Sequence, residues 1–363
     1  MKYCTKCAMP DTRPRLTFDE NGICSACQWS EEKNISIDWD KREAELIELC
    51  NTIRGKNKFD CLVPASGGKD STYVAHKMKH THNLNVLTVT ITPPLETDLI
   101  QENMKSFLNK GYDNIKITPN PLIMKTINRI GFIEQGRPLL GWTSCLNTAM
   151  LQIATSMNVP LIMFGEEGES EYGGSNRLRY KPFYTIDDAT ELYTYGNDPA
   201  QYSKYFPANE LVMWTFPTQE ILQKHPVNIG HWSYFENWDP YNNFVFARDN
   251  YNMKPRRTRS IGTYTNYGQL DTPLYDLHAY MMYLKFGFGR CTQDACIDIR
   301  GGRISRKEAV KLIAKYDGES IDKYIPDYCD YFEMDIKEFE QIIDKHANKT
   351  LLKKQNGKWI PLK

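Results

Sequence analysis

A glycine pair between a predicted strand and a predicted helix constrains the fold of this chain more than any other feature of its sequence. Residues 59–65 form a short apolar run typical of a buried strand, SGGKDS follows at 66–71, and a helix is predicted from Ser71. Two glycines let the backbone turn sharply and approach an anion closely. The helix N-terminus presents free N–H groups and a positive dipole end to that anion. The segment therefore predicts a site for a chain of phosphates.

The spacing within this segment differs from that of an ordinary P-loop. With Gly68 and Lys69 as the Gly-Lys pair, the first glycine is needed at position 63, where the chain has Val63. A Ser or Thr is needed at position 70, where the chain has Asp70. Transfer of a γ-phosphate of the usual kind is therefore not expected.

Strands and helices alternate beyond this segment, which is typical of a parallel sheet covered by helices. The predicted strands cover residues 59–65, 85–92, 115–117 and 159–165. The predicted helices between them cover residues 97–110, 121–130 and 143–157. Ligands of such sheets bind outside the carboxyl ends of the strands. The candidate ligand site at that edge therefore includes Val89, Thr90, Gly165 and Glu166, and the Glu166 carboxylate is expected to hold Mg²⁺ or to bind a substrate.

Four cysteines near the N-terminus predict a metal site. Cys4 and Cys7 form one C-x2-C pair, Cys24 and Cys27 form a second, and sixteen residues separate the two pairs. Two such pairs supply the four thiolates of a tetrahedral zinc site, which is structural because no coordination position stays open. An iron centre or redox-active pairs are the alternatives. Zinc would fold an N-terminal ribbon that has too little apolar sequence for a core of its own.

The remaining cysteines include three whose role the sequence leaves open. Cys145 has no C-x-x-C partner, and the spacing of Cys291 and Cys296 is compatible with one helix face. Buried small apolar side chains are the plainer interpretation of all three, and a shared iron–sulfur site is the alternative.

Charge and hydropathy exclude several classes of protein. Lys and Arg number 45, Asp and Glu number 45, and the formal net charge is zero, whereas a protein on a nucleic-acid backbone usually has a basic surplus. No apolar run approaches the roughly 18 to 20 residues of a membrane span, and residues 1–7 contain no apolar signal segment. We therefore expect a cytoplasmic protein with reduced thiols, and neither a membrane nor a nucleic acid as its partner.

SGGKDS after a strand resembles the signature of the PP-loop ATP pyrophosphatase family, which includes GMP synthetase, asparagine synthetase, argininosuccinate synthetase and the tRNA thiolases. The resemblance implies that a substrate oxygen attacks the α-phosphorus of ATP, that pyrophosphate leaves, and that a nucleophile then displaces AMP. It also implies Mg²⁺ on the phosphates, adenine beside Val89 and Thr90, and catalytic roles for Lys69 and Asp70. The implied phosphate site comprises Ser66, Gly67, Gly68, Lys69, Asp70 and Ser71.

Later stretches of the chain, together with SGGKDS and the cysteine pairs, resemble the N-acetyl sugar amidotransferase family. They are RTRSIGTYTNY at 257–267, MMYLKFGFGR at 281–290, and DA, DIR and GRISR within 294–306. The resemblance implies conversion of an acetamido group of a bacterial surface-glycan sugar, of O-antigen, pseudaminic or legionaminic acid type, to an acetamidino group. Separate glutaminase and cyclase-like subunits would supply ammonia, because the chain starts Met1-Lys2 and no cysteine lies in a G-x-C-x-G elbow.

Two other functions stay open at this point. A PP-loop tRNA thiolase would need its three further cysteines in one site and a basic face. A non-catalytic nucleotide-binding partner of a glutaminase would turn over no ATP with any candidate sugar.

The predicted fold class is α/β, with a PP-loop parallel sheet, an N-terminal zinc ribbon and a mostly helical C-terminal region. The predicted segments are a zinc ribbon at 1–32, a linker helix at 33–57, a PP-loop ATP-binding domain at 58–180, and a C-terminal substrate or partner region at 181–363. Helices are predicted in the last segment at 276–286, 305–316 and 336–346. Aromatic and arginine-containing segments between 177 and 267 are the candidates for sugar binding.

Overall fold

The computed structural model describes residues 1–194, 196 and 199–362. Positions 195, 197 and 198, which belong to the aromatic segment, and position 363, which ends the predicted C-terminal region, lie outside the described residues. None of the helices within the described part is long and apolar enough to cross a membrane.

Five parallel strands form the central sheet in the order β3-β2-β1-β4-β5. They are β1 (Cys61–Pro64), β2 (Val86–Ile91), β3 (Asp113–Ile117), β4 (Leu161–Phe164) and β5 (Asn228–His231). The first four confirm the predicted strands. Leu62 of β1 pairs with Leu87 on one side and with Ile162 on the other. From β1 the chain adds β2 and β3 on one side of the sheet, and then β4 and β5 on the other side. A ligand crevice forms at such a reversal, beyond the carboxyl ends of the strands.

Each face of the sheet carries its own apolar core. Leu62 belongs to one buried cluster, whereas Cys61 and Val63 belong to another, because successive side chains of a strand point to opposite faces. The helices up to residue 172 are α1 (Ser25–Ile35), α2 (Trp39–Ile53), α3 (Lys69–His76), α4 (Asp98–Leu108), α5 (Pro121–Ile130), α6 (Leu140–Ser156) and α7 (Gly168–Tyr172). The parallel sheet with helices confirms the predicted α/β class.

The rest of the described chain is mostly helical, as predicted. Its helices are α8 (Ile186–Leu192), α9 (Gln219–Lys224), α10 (Trp232–Phe235), α11 (Pro240–Tyr251), α12 (Leu274–Phe286), α13 (Arg290–Arg300), α14 (Arg306–Tyr316), α15 (Ile325–Phe332) and α16 (Ile336–His346). An antiparallel hairpin of β6 (Leu352–Gln355) and β7 (Lys358–Pro361) follows. Helix α14 begins where its sequence predicts, because Ser305 and Glu308 form a capping box.

The fifth strand comes from a distant part of the sequence. β5 pairs with β4 along four residues of each strand, from Leu161 with Asn228 to Phe164 with His231. It lies beyond residue 180, where the sequence places the end of the ATP-binding domain. The sheet therefore draws on the segment assigned to the C-terminal region, and the predicted domain boundaries stay a prediction.

The N-terminal cysteine segment packs against both the α/β part and the C-terminal helices. On one side, Trp29 of α1 donates its indole N–H to a carboxylate oxygen of Glu171, at 3.0 Å. On the other side, Arg306 of α14 donates from Nε to the carbonyl oxygen of Cys7, at 2.8 Å. The segment is thus held between α7 and α14.

Candidate functional site

The loop between β1 and α3 has the backbone shape that its glycines predict. Gly67 adopts a φ of +77°, and a Cβ atom on it would lie 2.6 Å from the backbone nitrogen of Met104 in α4. Only glycine fits a position with both constraints. Gly68 is the extended N-cap of α3, which therefore begins at Lys69 and not at the predicted Ser71. The free N–H groups of the first helical turn consequently lie within SGGKDS.

A cavity of about 300 Å³ opens at the carboxyl ends of β1, β2 and β4. We call it the nucleotide cavity. Eight of the ten predicted cofactor-binding residues line it: Ser66, Gly68, Lys69, Asp70, Ser71, Val89, Gly165 and Glu166. The other two, Gly67 and Thr90, are not among its lining residues. Gly67 packs on α4, and Thr90 donates its hydroxyl to the Ala65 carbonyl oxygen at 2.7 Å.

The Asp70 carboxylate is fixed by three side chains. Its Oδ1 atom accepts from the indole Nε1 of Trp238 at 3.0 Å and from the amide Nδ2 of Asn243 at 2.9 Å. Its Oδ2 atom pairs with the ammonium of Lys69. The segment around α11 therefore braces the phosphate loop, a contact that no motif in the sequence predicts.

Glu166 lies close enough to Asp70 for the two carboxylates to influence each other. Burial, and then the charge of Asp70, raise the pKa of Glu166 to about 7, while Lys69 opposes the shift. A divalent cation held by these carboxylates would offset this repulsion, and carboxylate oxygens are ligands that Mg²⁺ prefers. Asp70 and Glu166, the second of which follows the end of β4, therefore fit a Mg²⁺ ion.

Several residues that line the nucleotide cavity were not predicted from the sequence. Trp142, Leu146 and Met150 line it from one face of α6, and their four-residue spacing is the only sequence signal that they share. Asp271, which follows an aromatic stretch, also lines it. Burial raises the pKa of Asp271, and its Oδ1 atom is buried without a hydrogen-bond partner. A buried acceptor of this kind suits a donor group of a ligand.

A second cavity, of about 360 Å³, adjoins the nucleotide cavity. We call it the acceptor cavity. Four residues line both cavities: Leu146, Glu166, Gln269 and Tyr275. The two cavities are therefore neighbours, and these four residues form part of the boundary of each.

Three arginines from distant parts of the sequence line the acceptor cavity: Arg13, Arg137 and Arg290. Arg13 donates from Nε to the carbonyl oxygen of Gly173 at 2.7 Å, and Arg290 pairs with Asp294 at 2.8 Å. His278 also lines this cavity, and burial lowers its pKa to about 4, so that it is neutral near pH 7. Its Nδ1 atom is buried without a hydrogen-bond partner. The cavity thus combines positive charge with a neutral imidazole.

Two arginines of the aromatic segment form ion pairs away from the acceptor cavity. Arg177 pairs with Asp188 at 2.6 Å, and Arg179 pairs with Glu32 at 3.0 Å. Neither of these two arginines lines the acceptor cavity. Tyr193 of this segment does line the acceptor cavity, and sugar binding by residues between 177 and 267 stays a prediction.

The four N-terminal cysteines meet in one buried cluster. All four Sγ atoms lie within 4.8 Å of one another, with 3.8 Å between Cys4 and Cys27 and 3.7 Å between Cys7 and Cys24. Tetrahedral zinc with Zn–S bonds of about 2.3 Å places its sulfur atoms about 3.8 Å apart. Backbone N–H groups of Cys7 and Cys24 also donate to the sulfur of Cys4, at 3.4 and 3.3 Å, which favours a thiolate. The cluster is compatible with structural zinc, as predicted.

The three cysteines of open role do not form a second cluster. Within the described residues, the N-terminal group is the only cluster of three or more His, Cys, Asp or Glu side chains close enough to share one metal ion. Cys145 lies in the core on α6, and Cys291 and Cys296 are buried on α13. Cys296 accepts a hydrogen bond from the backbone N–H of Ala8 at 3.4 Å, so it packs beside the zinc-type cluster. An iron–sulfur site built from these three is not supported.

Comparison with protein families gives a match for the C-terminal part of the chain. Residues 261–363 match the family described as "LPS biosynthesis protein WbpG-like, C-terminal domain". The matched residues contain the motifs at 281–290 and 294–306, and they include Tyr275, His278 and Arg290, which line the acceptor cavity. Together with the phosphate loop and the cysteine cluster, the match supports the family that the sequence suggested.

A search of curated protein sequences gives no match. Among solved structures, an NH3-dependent NAD synthetase from Campylobacter jejuni in complex with a nitrate ion is similar at 13% identity, over 52% of this chain and 95% of that chain, with a TM-score of 0.30.

Proposed function

We propose that this chain is an ATP-dependent amidotransferase that converts an acetamido group of a bacterial surface-glycan sugar to an acetamidino group. The observation that carries the proposal is the shared wall between the nucleotide cavity and the acceptor cavity, with Glu166, Gln269 and Tyr275 facing both. The match of residues 261–363 to a family of LPS biosynthesis proteins supports a sugar as the acceptor.

The chemistry follows from the weakness of an amide as an electrophile. The acetamido oxygen attacks the α-phosphorus of ATP; a P–O bond forms, and the bond to pyrophosphate breaks. The adenylated oxygen is now a good leaving group. Ammonia adds to the carbon and loses a proton, the C–O bond breaks with release of AMP, and an amidine remains. Each step is a group transfer without oxidation or reduction.

The residues of the phosphate loop suit the first step. Lys69 and the free N–H groups of α3 would stabilise the charge that develops on the departing pyrophosphate. Asp70 and Glu166 would hold Mg²⁺, which supplies further charge stabilisation to the phosphates. Trp238 and Asn243 would keep Asp70 oriented.

Ammonia would come from separate glutaminase and cyclase-like subunits. All ten cysteines of this chain are buried, so none offers an accessible nucleophile for glutamine hydrolysis. Because the reaction consumes ATP, we propose that it takes place in the cytoplasm.

The test combines purified protein with Mg-ATP, ammonium and a panel of diacetamido sugars in free and nucleotide-linked form. Mass spectrometry of the sugar should reveal replacement of one oxygen by NH, with one AMP and one pyrophosphate released per product. AMP formation only with tRNA and a sulfur donor would instead identify a thiolase. Absence of AMP with every acceptor, and with a glutaminase added, would identify a non-catalytic nucleotide-binding protein.

Replacing Glu166 with glutamine should raise the Mg²⁺ concentration needed for half-maximal turnover by more than about tenfold, because an amide is a weaker ligand than a carboxylate. Titration of AMP formation with Mg²⁺ measures the effect. Glu102→Gln is the control, since its exposed side chain lies on α4 away from the cavity. An unchanged Mg²⁺ requirement would remove Glu166 from the metal site.

Replacing Arg290 with glutamine should raise the KM for the sugar by more than about tenfold and leave the KM for ATP unchanged. Arg290 lines the acceptor cavity but not the nucleotide cavity, and a charged hydrogen bond to the acceptor would be lost. Initial rates at varied sugar and ATP concentrations separate the two constants. The exposed Arg248→Gln variant serves as control. A rise in the KM for ATP alone would contradict the assignment of the cavity.

A further inference from the structure

A third cavity, of about 300 Å³, lies among α1, the beginning of α11 and the end of α13. No residue that lines it also lines the nucleotide cavity or the acceptor cavity. Lys33, Arg300 and Arg303 contribute three positive charges to its walls, and Glu171 and Asp239 contribute two negative charges. The cavity is therefore polar and has a surplus of positive charge.

Two guanidinium nitrogens of this cavity lack acceptors. Arg300 uses Nη2 to bond the carbonyl oxygen of Glu171 at 2.9 Å, and its Nη1 is buried without a hydrogen-bond partner. Arg303 uses Nε and Nη1 to bond Asp298 and Asp239, at 2.7 and 2.6 Å, and its Nη2 is buried without a partner. Burying a charged donor without an acceptor is costly and rare in native proteins.

The other charges of the cavity do not satisfy these nitrogens. Lys33 and Glu171 pair with each other at 2.7 Å, and their side chains are almost fully buried. Each of these two arginines therefore has one nitrogen without an acceptor, and both arginines line the cavity.

We propose that this cavity binds a small oxyanion, a phosphate or carboxylate group, between Arg300 and Arg303. Planar guanidinium groups bind such groups through paired hydrogen bonds. Asn34, Asn237 and Asn242 line the cavity and are exposed, so an anion reaches it from solvent. This site is independent of the proposed amidotransferase reaction.

The cavity also contacts the phosphate loop through one side chain. Trp238 lines the cavity and donates its indole N–H to Asp70. Trp238 is therefore both a lining residue of this cavity and a hydrogen-bond partner of the phosphate loop.

Isothermal titration calorimetry with inorganic phosphate, and separately with acetate, tests the proposal on the purified full chain. Arg303→Gln and Asn242→Trp should each weaken binding of the preferred anion by more than about tenfold, the first by removing a donor and the second by filling the mouth. Lys69→Ala and Arg290→Gln, which alter the other two cavities, should retain it, as should the exposed Arg257→Gln control.

The two anions separate the possible sources of the ligand. Tighter binding of phosphate identifies a phosphoryl group, and tighter binding of acetate identifies a carboxylate; either result supports the site. The proposal fails if neither anion binds the wild-type chain, or if binding is lost in Lys69→Ala or Arg290→Gln but kept in Asn242→Trp. Because Asn242 is exposed, its variant stays informative even if Arg303→Gln does not fold.

Discussion

Replacing Lys69 with alanine should lower the rate of AMP formation by more than about a hundredfold while the chain stays folded. Among the described residues, Lys69 is the only lysine that lines the nucleotide cavity. Its ammonium would face the departing pyrophosphate. The fold should survive because Asp70 keeps its bonds from Trp238 and Asn243, and because alanine is a good residue for the start of α3. Chromatography of the nucleotides measures the rate, and thermal unfolding followed by circular dichroism measures the stability.

The matched control for this variant is Lys105→Ala. Lys105 lies on α4, the helix that Gly67 contacts, but its side chain is exposed. The control should retain full activity. If Lys69→Ala kept wild-type activity, the phosphate site would have to be placed elsewhere.

Replacing Cys7 with serine should abolish zinc binding and lower the free energy of unfolding by more than about 4 kcal/mol. The cluster is fully buried, and the ribbon around it has few apolar residues of its own. Metal analysis of the purified protein gives the zinc content, and denaturant unfolding gives the stability. A strong chelator added to the wild-type protein should have the same effect on unfolding.

Cys296→Ala is the informative comparison, because this thiol packs beside the cluster without belonging to its four ligands. The Cys296→Ala variant should keep one zinc per chain, and its free energy of unfolding should fall only by the contribution of one buried contact. Loss of zinc in Cys296→Ala, with zinc retained in Cys7→Ser, would contradict the assignment of ligands.

The features that the sequence predicted depend on residues close together along the chain. The first four strands are short apolar runs, and the loop at 66–71 joins a strand to the helix that follows it. The cysteine pairs are likewise local, since each C-x2-C forms one half of the cluster. Physical rules for strands, glycine turns and metal ligands are sufficient for such features.

The features that the sequence missed depend on tertiary contacts. Strand β5 has the sequence NIGH, which is too short and polar to read as a buried strand, and only its pairing with β4 defines it. Arg13 and Arg290 are 277 positions apart in the sequence, and nothing local places them in one cavity. Asp271 similarly becomes a buried carboxylate only because α6 and the phosphate loop lie beside it.

The contact between the cysteine segment and the C-terminal helices has a consequence for how the chain is made. During synthesis, the four cysteines leave the ribosome and can take up zinc before residues 296 and 306 exist. The bond from Ala8 to Cys296 and the bond from Arg306 to the Cys7 carbonyl oxygen can therefore form only after α13 and the start of α14 have been made. Arg290 is the first residue of α13, so a nascent chain arrested before α13 would have all four cysteines of the cluster and still lack part of the acceptor cavity.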